Sequence, residues 1–157
     1  MNNPDTHHHT PWNVYSTHAI FETGVAPIWD LLADFNGLPA LLSEAVSSSV
    51  EGEGVGMVRT VTLDDGKKMH ESLIGIHHDV FRLSYAMRDP SPFPWKHYFC
   101  TQQLQSLGGG ETHFLCTGYY QLSGATDAEI RSLLQPAYHS IFQGIARVLG
   151  VKLAIQP

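Results

Sequence analysis

Apolar positions along the chain repeat every second residue in one stretch and at helical spacing in the next, so the elements separate on period alone. The segment NVYSTHAIF (13–21) alternates and predicts a first strand. Pro27 then stands at a favourable first helical position, and Ile28, Leu31, Leu32 and Phe35 recur at helical spacing until Asn36 and Gly37 end the run. A second short helix through Leu38, Leu41 and Leu42 follows directly. The alternation of AVSSSVE (45–51), VGMVRTVTL (55–63), KKMHESLIGIH (67–77), VFRLSYAM (80–87), WKHYFCTQQL (95–104) and THFLCTGYYQL (112–122) predicts six more strands. Turn signals separate them: the glycines at 52–56, Asp64-Asp65-Gly66, His78-Asp79, a Pro-rich loop at 89–94, and Gly108-Gly109-Gly110. The last element opens on a capping box, Thr126 with Glu129, and carries one apolar face from Ile130 to Leu149 before Gly150. It spans about 23 residues, or roughly 34 Å at 1.5 Å per residue, and Pro136 in its interior predicts a kink.

Short connections between successive strands favour an antiparallel meander. The expected fold is therefore α+β, a seven-stranded curved antiparallel sheet wrapped around a long C-terminal helix, with two short helices between the first and second strands. Only the long helix is large enough to cover the apolar face of so wide a sheet. One helix does not fill that concave side, which predicts an internal pocket near the turns and short helices. Residues 1–12 lack periodicity and read as a flexible arm, 13–150 as a single ligand-binding domain, and 151–157 as a tail.

Composition narrows the function classes. A chain of 157 residues with 43% apolar and 15% charged residues suits one globular domain. Its formal charge is −6 and its nine basic residues form no run, so nucleic acid is not expected as a partner. Protonating all ten histidines would bring the formal charge to +4, so behaviour near pH 6 should differ from that near pH 7.5. Cys100 and Cys116 lie in alternating apolar segments and read as free, buried thiols. The absence of an apolar run long enough for a membrane span, together with a polar start, leads to the expectation of a cytoplasmic protein. No phosphate-binding loop or nucleophile elbow occurs, and the glycines at 52–56 join two strands, so no cofactor is expected. The histidines do not adopt metal-ligand spacing, and the tract His7, His8, His9 is short for chelation, so no metal is expected either.

One set of residues, in this order, resembles the START-related polyketide cyclase/dehydratase-like family. It comprises Trp29, Gly37-Leu38-Pro39, Gly54-Val55-Gly56 leading to Arg59, Asp65-Gly66, Glu71 with Leu73, Arg82 with Tyr85, and Tyr98 after the Pro-rich loop. The likeness runs from about Val14 to Leu149. It implies the helix-grip fold of the birch pollen allergen and the plant abscisic-acid receptors, with a hydrophobic ligand such as a polyketide, lipid or terpenoid.

Resemblance to the receptors also sets strand parity. It places Val46, Val61, Leu63, Met69, Glu71, Tyr85, Met87, Tyr98, Cys100 and Cys116 on the concave face. Phe114 and Tyr120 share parity with Cys116, and Arg59 with Val61. Leu133, Ala137, Ile141 and Ile145 of the long helix form the opposing wall. Val46 and Cys116 occupy the positions where the receptors carry a lysine and a second acid, which favours a neutral ligand. Glu71 and Tyr98 are the candidate catalytic residues: an unpaired buried Glu71 could move a proton, and Tyr98 could donate to a ligand carbonyl. Against this, Glu71 pairing with Arg59 would make it structural, and large aromatics on a sheet face usually pack. Three functions remain open. The first is a carrier for a hydrophobic molecule; the second is a cofactor-independent cyclase/dehydratase or isomerase. The third is a sensing module in which the loop at 89–94 closes on the hairpin at 64–66. Oligomeric state is not legible.

Overall fold

A computed structural model describes residues 9–156. The order is β1 (Asn13–Phe21), α1 (Val25–Ala33), a 3₁₀ turn (Leu38–Ala40), β2 (Ala45–Glu51), β3 (Val58–Leu63), β4 (Lys68–His77), β5 (Arg82–Met87), β6 (Trp95–Gly108), β7 (Glu111–Leu122), α2 (Asp127–Leu149) and β8 (Leu153–Gln156). All strands join one antiparallel sheet in the order β2-β3-β4-β5-β6-β7-β1-β8. The sheet has eight strands, one more than the sequence predicts. Residues 153–156, expected in a tail, pair with His18 to Phe21 and extend the sheet beyond β1. Four residues are too few for alternation to stand out, and the edge of β1 supplies the partner. The expected second helix is a single 3₁₀ turn.

His9 is within the described residues, whereas His7, His8 and most of the expected arm lie outside them. Near the start of β1, Trp12 packs edge-on against Phe99 on the outer face of the sheet, and Gln121 Nε2 donates to the Thr10 carbonyl.

Helix α2 begins on the predicted capping box. Glu129 N donates to Thr126 Oγ1 at 3.2 Å, and Thr126 N donates to Glu129 Oε2 at 2.7 Å. Asp127 in the first turn accepts from the Tyr120 hydroxyl at 2.5 Å and from Arg131 at 2.7 Å, which ties this end to β7. The helix continues across Pro136 and ends at Gly150, which adopts φ 67°. It rests on β1, β7 and β8, where Phe21, Phe114 and Phe142 form a fully buried aromatic cluster.

Gly144 sets how closely the segment after α1 approaches α2. A Cβ there would overlap the Leu41 carbonyl oxygen and lie 2.6 Å from Leu41 Cα. On the outer face, His18 Nδ1 and His113 Nε2 lie 2.8 Å apart on neighbouring strands. Partial burial, and then the neighbouring His18, hold His113 below the ordinary imidazole value. Among the described residues no helix is long and apolar enough to cross a membrane.

Two outcomes follow from this packing. Gly144→Ala should cost about 1–3 kcal/mol in chemical denaturation, because backbone must move to admit the methyl group. A histidine whose folded pKa is depressed destabilises the fold as pH falls through its unfolded value of about 6.5, and the loss levels off below the folded pKa. His113→Gln should therefore flatten the change in denaturation midpoint between pH 7.5 and pH 5; an undiminished slope would remove His113 as its source.

Candidate functional site

Because α2 rests mainly on β1, β7 and β8, it leaves a gap between itself and the concave face of β3 to β6. The gap is a cavity of about 290 Å³. Its floor is Leu63, Met69, Glu71, Tyr85, Met87 and Tyr98; Ser132, Leu133, Leu134, Pro136, Ala137, Tyr138 and Ile141 of α2 form the facing wall. Leu38, Leu42 and Glu44 close one side, and Asp64 and Asp65 of the β3–β4 hairpin meet Phe93 and Trp95 at another.

Nine of the sequence-derived residues line this cavity: Leu63, Met69, Glu71, Tyr85, Met87, Tyr98, Leu133, Ala137 and Ile141. Val61, Cys100, Phe114, Cys116 and Tyr120 are buried but lie outside its wall. Phe114 is packed against Phe142, and the hydroxyl of Tyr120 is taken by Asp127; burial first, and then that hydrogen bond, push the phenol up to about 12. Ile145 is fully buried and is likewise absent from the wall.

Val46 is a correction: it is 60% exposed. Alternation back from Val50 and Ser48 points it inward, but a register shift between Ala45 and Ser47 turns it out and buries Ala45 instead. The same device hid Trp95. Strict alternation gives it the parity of His97 and Phe99, opposite to Tyr98. The irregularity between Lys96 and Phe99, with His97 at φ 53°, brings Trp95 and Tyr98 to the same side, where their rings stack at 4.9 Å. Tyr138, also missed as a site residue, belongs to the apolar face of α2 read from the sequence.

Arg59 and Glu71 are directly paired across β3 and β4, Nε to Oε2 at 2.6 Å, with both side chains buried. The guanidinium also donates to the Phe35 carbonyl at 3.1 Å and lies over the rings of Phe35 and Tyr85, 4.2 and 4.9 Å from their centres. Arg59 is thus held by a carboxylate, a carbonyl and two rings and does not line the cavity. Glu71 does line it, and its Oε1 has no hydrogen-bond partner among the described residues.

The second polar feature is phenolic. Tyr98 and Tyr138 share a hydroxyl–hydroxyl bond of 2.5 Å across the cavity wall. Burial holds Tyr85, Tyr98 and Tyr138 well above the ordinary phenol range, so all three are protonated at neutral pH. Cys100 and Cys116 are free thiols with Sγ atoms 3.5 Å apart. Burial raises Cys100, but hydrogen bonding from Cys116, Tyr85, Tyr138 and Tyr98 outweighs it and leaves that thiol lowered, while burial pushes Cys116 up. Two buried polar atoms in the cavity residues, Glu44 Oε2 and Trp95 Nε1, have no hydrogen-bond partner among the described residues.

Residues 12–150 match the family model described as polyketide cyclase/dehydrase and lipid transport. The chain belongs to that family. Solved structures with the same fold include XoxI of Bacillus cereus, 23% identical over 87% of this chain and 94% of that one, with a TM-score of 0.73. An uncharacterised protein of Bacillus thuringiensis is 21% identical over 88% and 98%, with a TM-score of 0.75. Ara h 8.0201 is 17% identical over 89% and 99%, also with a TM-score of 0.75. No protein of curated function matches the chain. Membership places it in a hydrophobic-ligand-binding family.

The ion pair generates a prediction. Arg59→Met leaves the Glu71 carboxylate buried without its partner and should cost about 3–5 kcal/mol in urea denaturation. The double variant Arg59→Met/Glu71→Leu should recover most of that loss, because it removes both charges. A double variant no more stable than the single one would show that the guanidinium acts through its ring and carbonyl contacts instead.

Proposed function

We propose that this family member binds a small, neutral, largely apolar molecule between β3–β6 and α2. The observation that carries the reading is the cavity of about 290 Å³ left by the protein's own side chains, near the lower end of small-molecule sites. The ionisable side chains of its wall support a neutral guest: Glu44, Asp64, Asp65 and Glu71 are carboxylic acids, and among the described residues no Lys, Arg or His lines the cavity. A carboxylate guest would meet like charge with no cation to compensate it.

A cofactor-independent cyclase, dehydratase or isomerase is the second reading, favoured by one feature. Glu71 Oε1, unpartnered among the described residues, and Tyr98 share the same cavity, so an enolisable guest would meet a proton acceptor and a phenol donor together. Against strong base catalysis, Arg59 already holds the other carboxylate oxygen. Phe93 from the loop at 89–94 and Asp64-Asp65 from the facing hairpin both border the cavity, so a guest that contacts both would hold the loop closed.

N-phenyl-1-naphthylamine, a neutral fluorophore, should bind the purified protein, and anionic anilinonaphthalene sulfonate should bind at least about tenfold more weakly, the equivalent of about 1.4 kcal/mol. Ala137→Trp fills the cavity from α2 and should abolish binding of the neutral probe while leaving the far-UV circular dichroism unchanged. Undiminished binding to that variant would place the probe elsewhere and refute the cavity. For the catalytic reading, Glu71→Gln should abolish turnover of an enolisable ketone with affinity retained; unchanged turnover would dismiss proton transfer by Glu71.

A further inference from the structure

Hydroxyl protons are in surplus in one part of the cavity wall. Tyr98 and Tyr138 have two, and only one is used in the bond between them, whichever phenol donates. The Tyr85 hydroxyl makes no bond to oxygen or nitrogen among the described residues. Two phenolic protons are therefore left without a strong acceptor, in a wall where an unmade bond costs far more than in water.

The backbone is shaped to hold this arrangement. Gly118 of β7 lies under the Tyr138 hydroxyl; a Cβ there would overlap that oxygen and lie 3.2 Å from a ring carbon of Tyr98. The missing side chain allows a phenol on α2 to reach the sheet and meet one on β6. Packing alone does not call for a hydroxyl at Tyr138, since a phenylalanine would fill the wall without entering the space above Gly118.

We propose that Tyr85, Tyr98 and Tyr138 form a donor cluster that recognises a carbonyl oxygen on a neutral ligand, with Gly118 as its positioning residue. This rests on the small-molecule reading above and names the ligand class: a compact apolar molecule carrying a ketone, enone or lactone. A carbonyl oxygen has two lone pairs for the two spare protons and brings none of its own. A carboxylate would accept equally well but adds a charge that the acidic wall does not compensate. An alcohol would add a proton where protons are already in excess.

The test uses 9-fluorenone and fluorene, two rigid neutral molecules that differ in the carbonyl. Affinities of both are measured by titration calorimetry for the wild type, for Tyr85→Phe/Tyr98→Phe/Tyr138→Phe and for Gly118→Ala. From wild type to the triple variant the fluorenone-to-fluorene affinity ratio should fall about five- to tenfold, with fluorene still bound as a check that the cavity is intact. Gly118→Ala should lower the ratio in the same direction, whereas a merely structural role would weaken both ligands alike. The infrared carbonyl stretch of bound fluorenone should lie at lower wavenumber in the wild type than in the triple variant. An unchanged ratio, or a carbonyl band that does not move, overturns the donor cluster while leaving the cavity reading in place. Failure of both compounds to bind the wild type overturns the cavity reading and this inference together.

Discussion

An α-helix with its side chains is about 10 Å across, and an eight-stranded sheet curled around it is several times wider. In this protein α2 lies on β1, β7 and β8, so those strands bury their inner residues directly against it, as the contact of Phe114 with Phe142 shows. The strands β3 to β6 bend over the space beyond the helix. The 3₁₀ turn, the β3–β4 hairpin and the loop at 89–94 enclose that space without filling it, because a turn and two loops carry too few large side chains. The cavity follows from this mismatch in width.

The Arg59–Glu71 pair is the second constraint. It crosslinks β3 to β4 on their inner face, and through the Phe35 carbonyl it fixes the chain leaving α1 to the sheet. The pair also decides the electrostatics of the cavity. With the guanidinium held below by a carboxylate, a carbonyl and two rings, the polar part of the lining contains acids and phenols and, among the described residues, no cation. That lining is the basis for proposing an uncharged guest in this member of a hydrophobic-ligand-binding family.

Much of the fold was legible because its signals are local. The capping box at Thr126 and Glu129, the helical repeat from Ile130, and the alternation of most strands are each set by neighbours a few residues apart, and the resemblance supplied their arrangement. Part of the site was legible for the same reason: Met69, Glu71, Tyr85 and Met87 alternate on unbroken stretches of β4 and β5. Alternation failed where an extra residue changes strand parity, turning Val46 out and Trp95 in. Nothing in the residues around 46 or 97 marks those irregularities, since they depend on how neighbouring strands are matched in length and bend.

The sequence by itself determined which segments are strands and helices, which side chains must leave water, and that one long helix faces a wider sheet. Tertiary structure decided where on that sheet the helix comes to rest. That choice separates the inner-facing residues into those pressed against α2, such as Phe114, and those left beside a cavity, such as Glu71. It also brought the hydroxyl of Tyr138 over Gly118 to meet Tyr98, a contact between residues 40 positions apart. The physical reason is that hydrophobic pattern specifies a face, whereas the partner of a face is fixed by steric fit over the whole molecule.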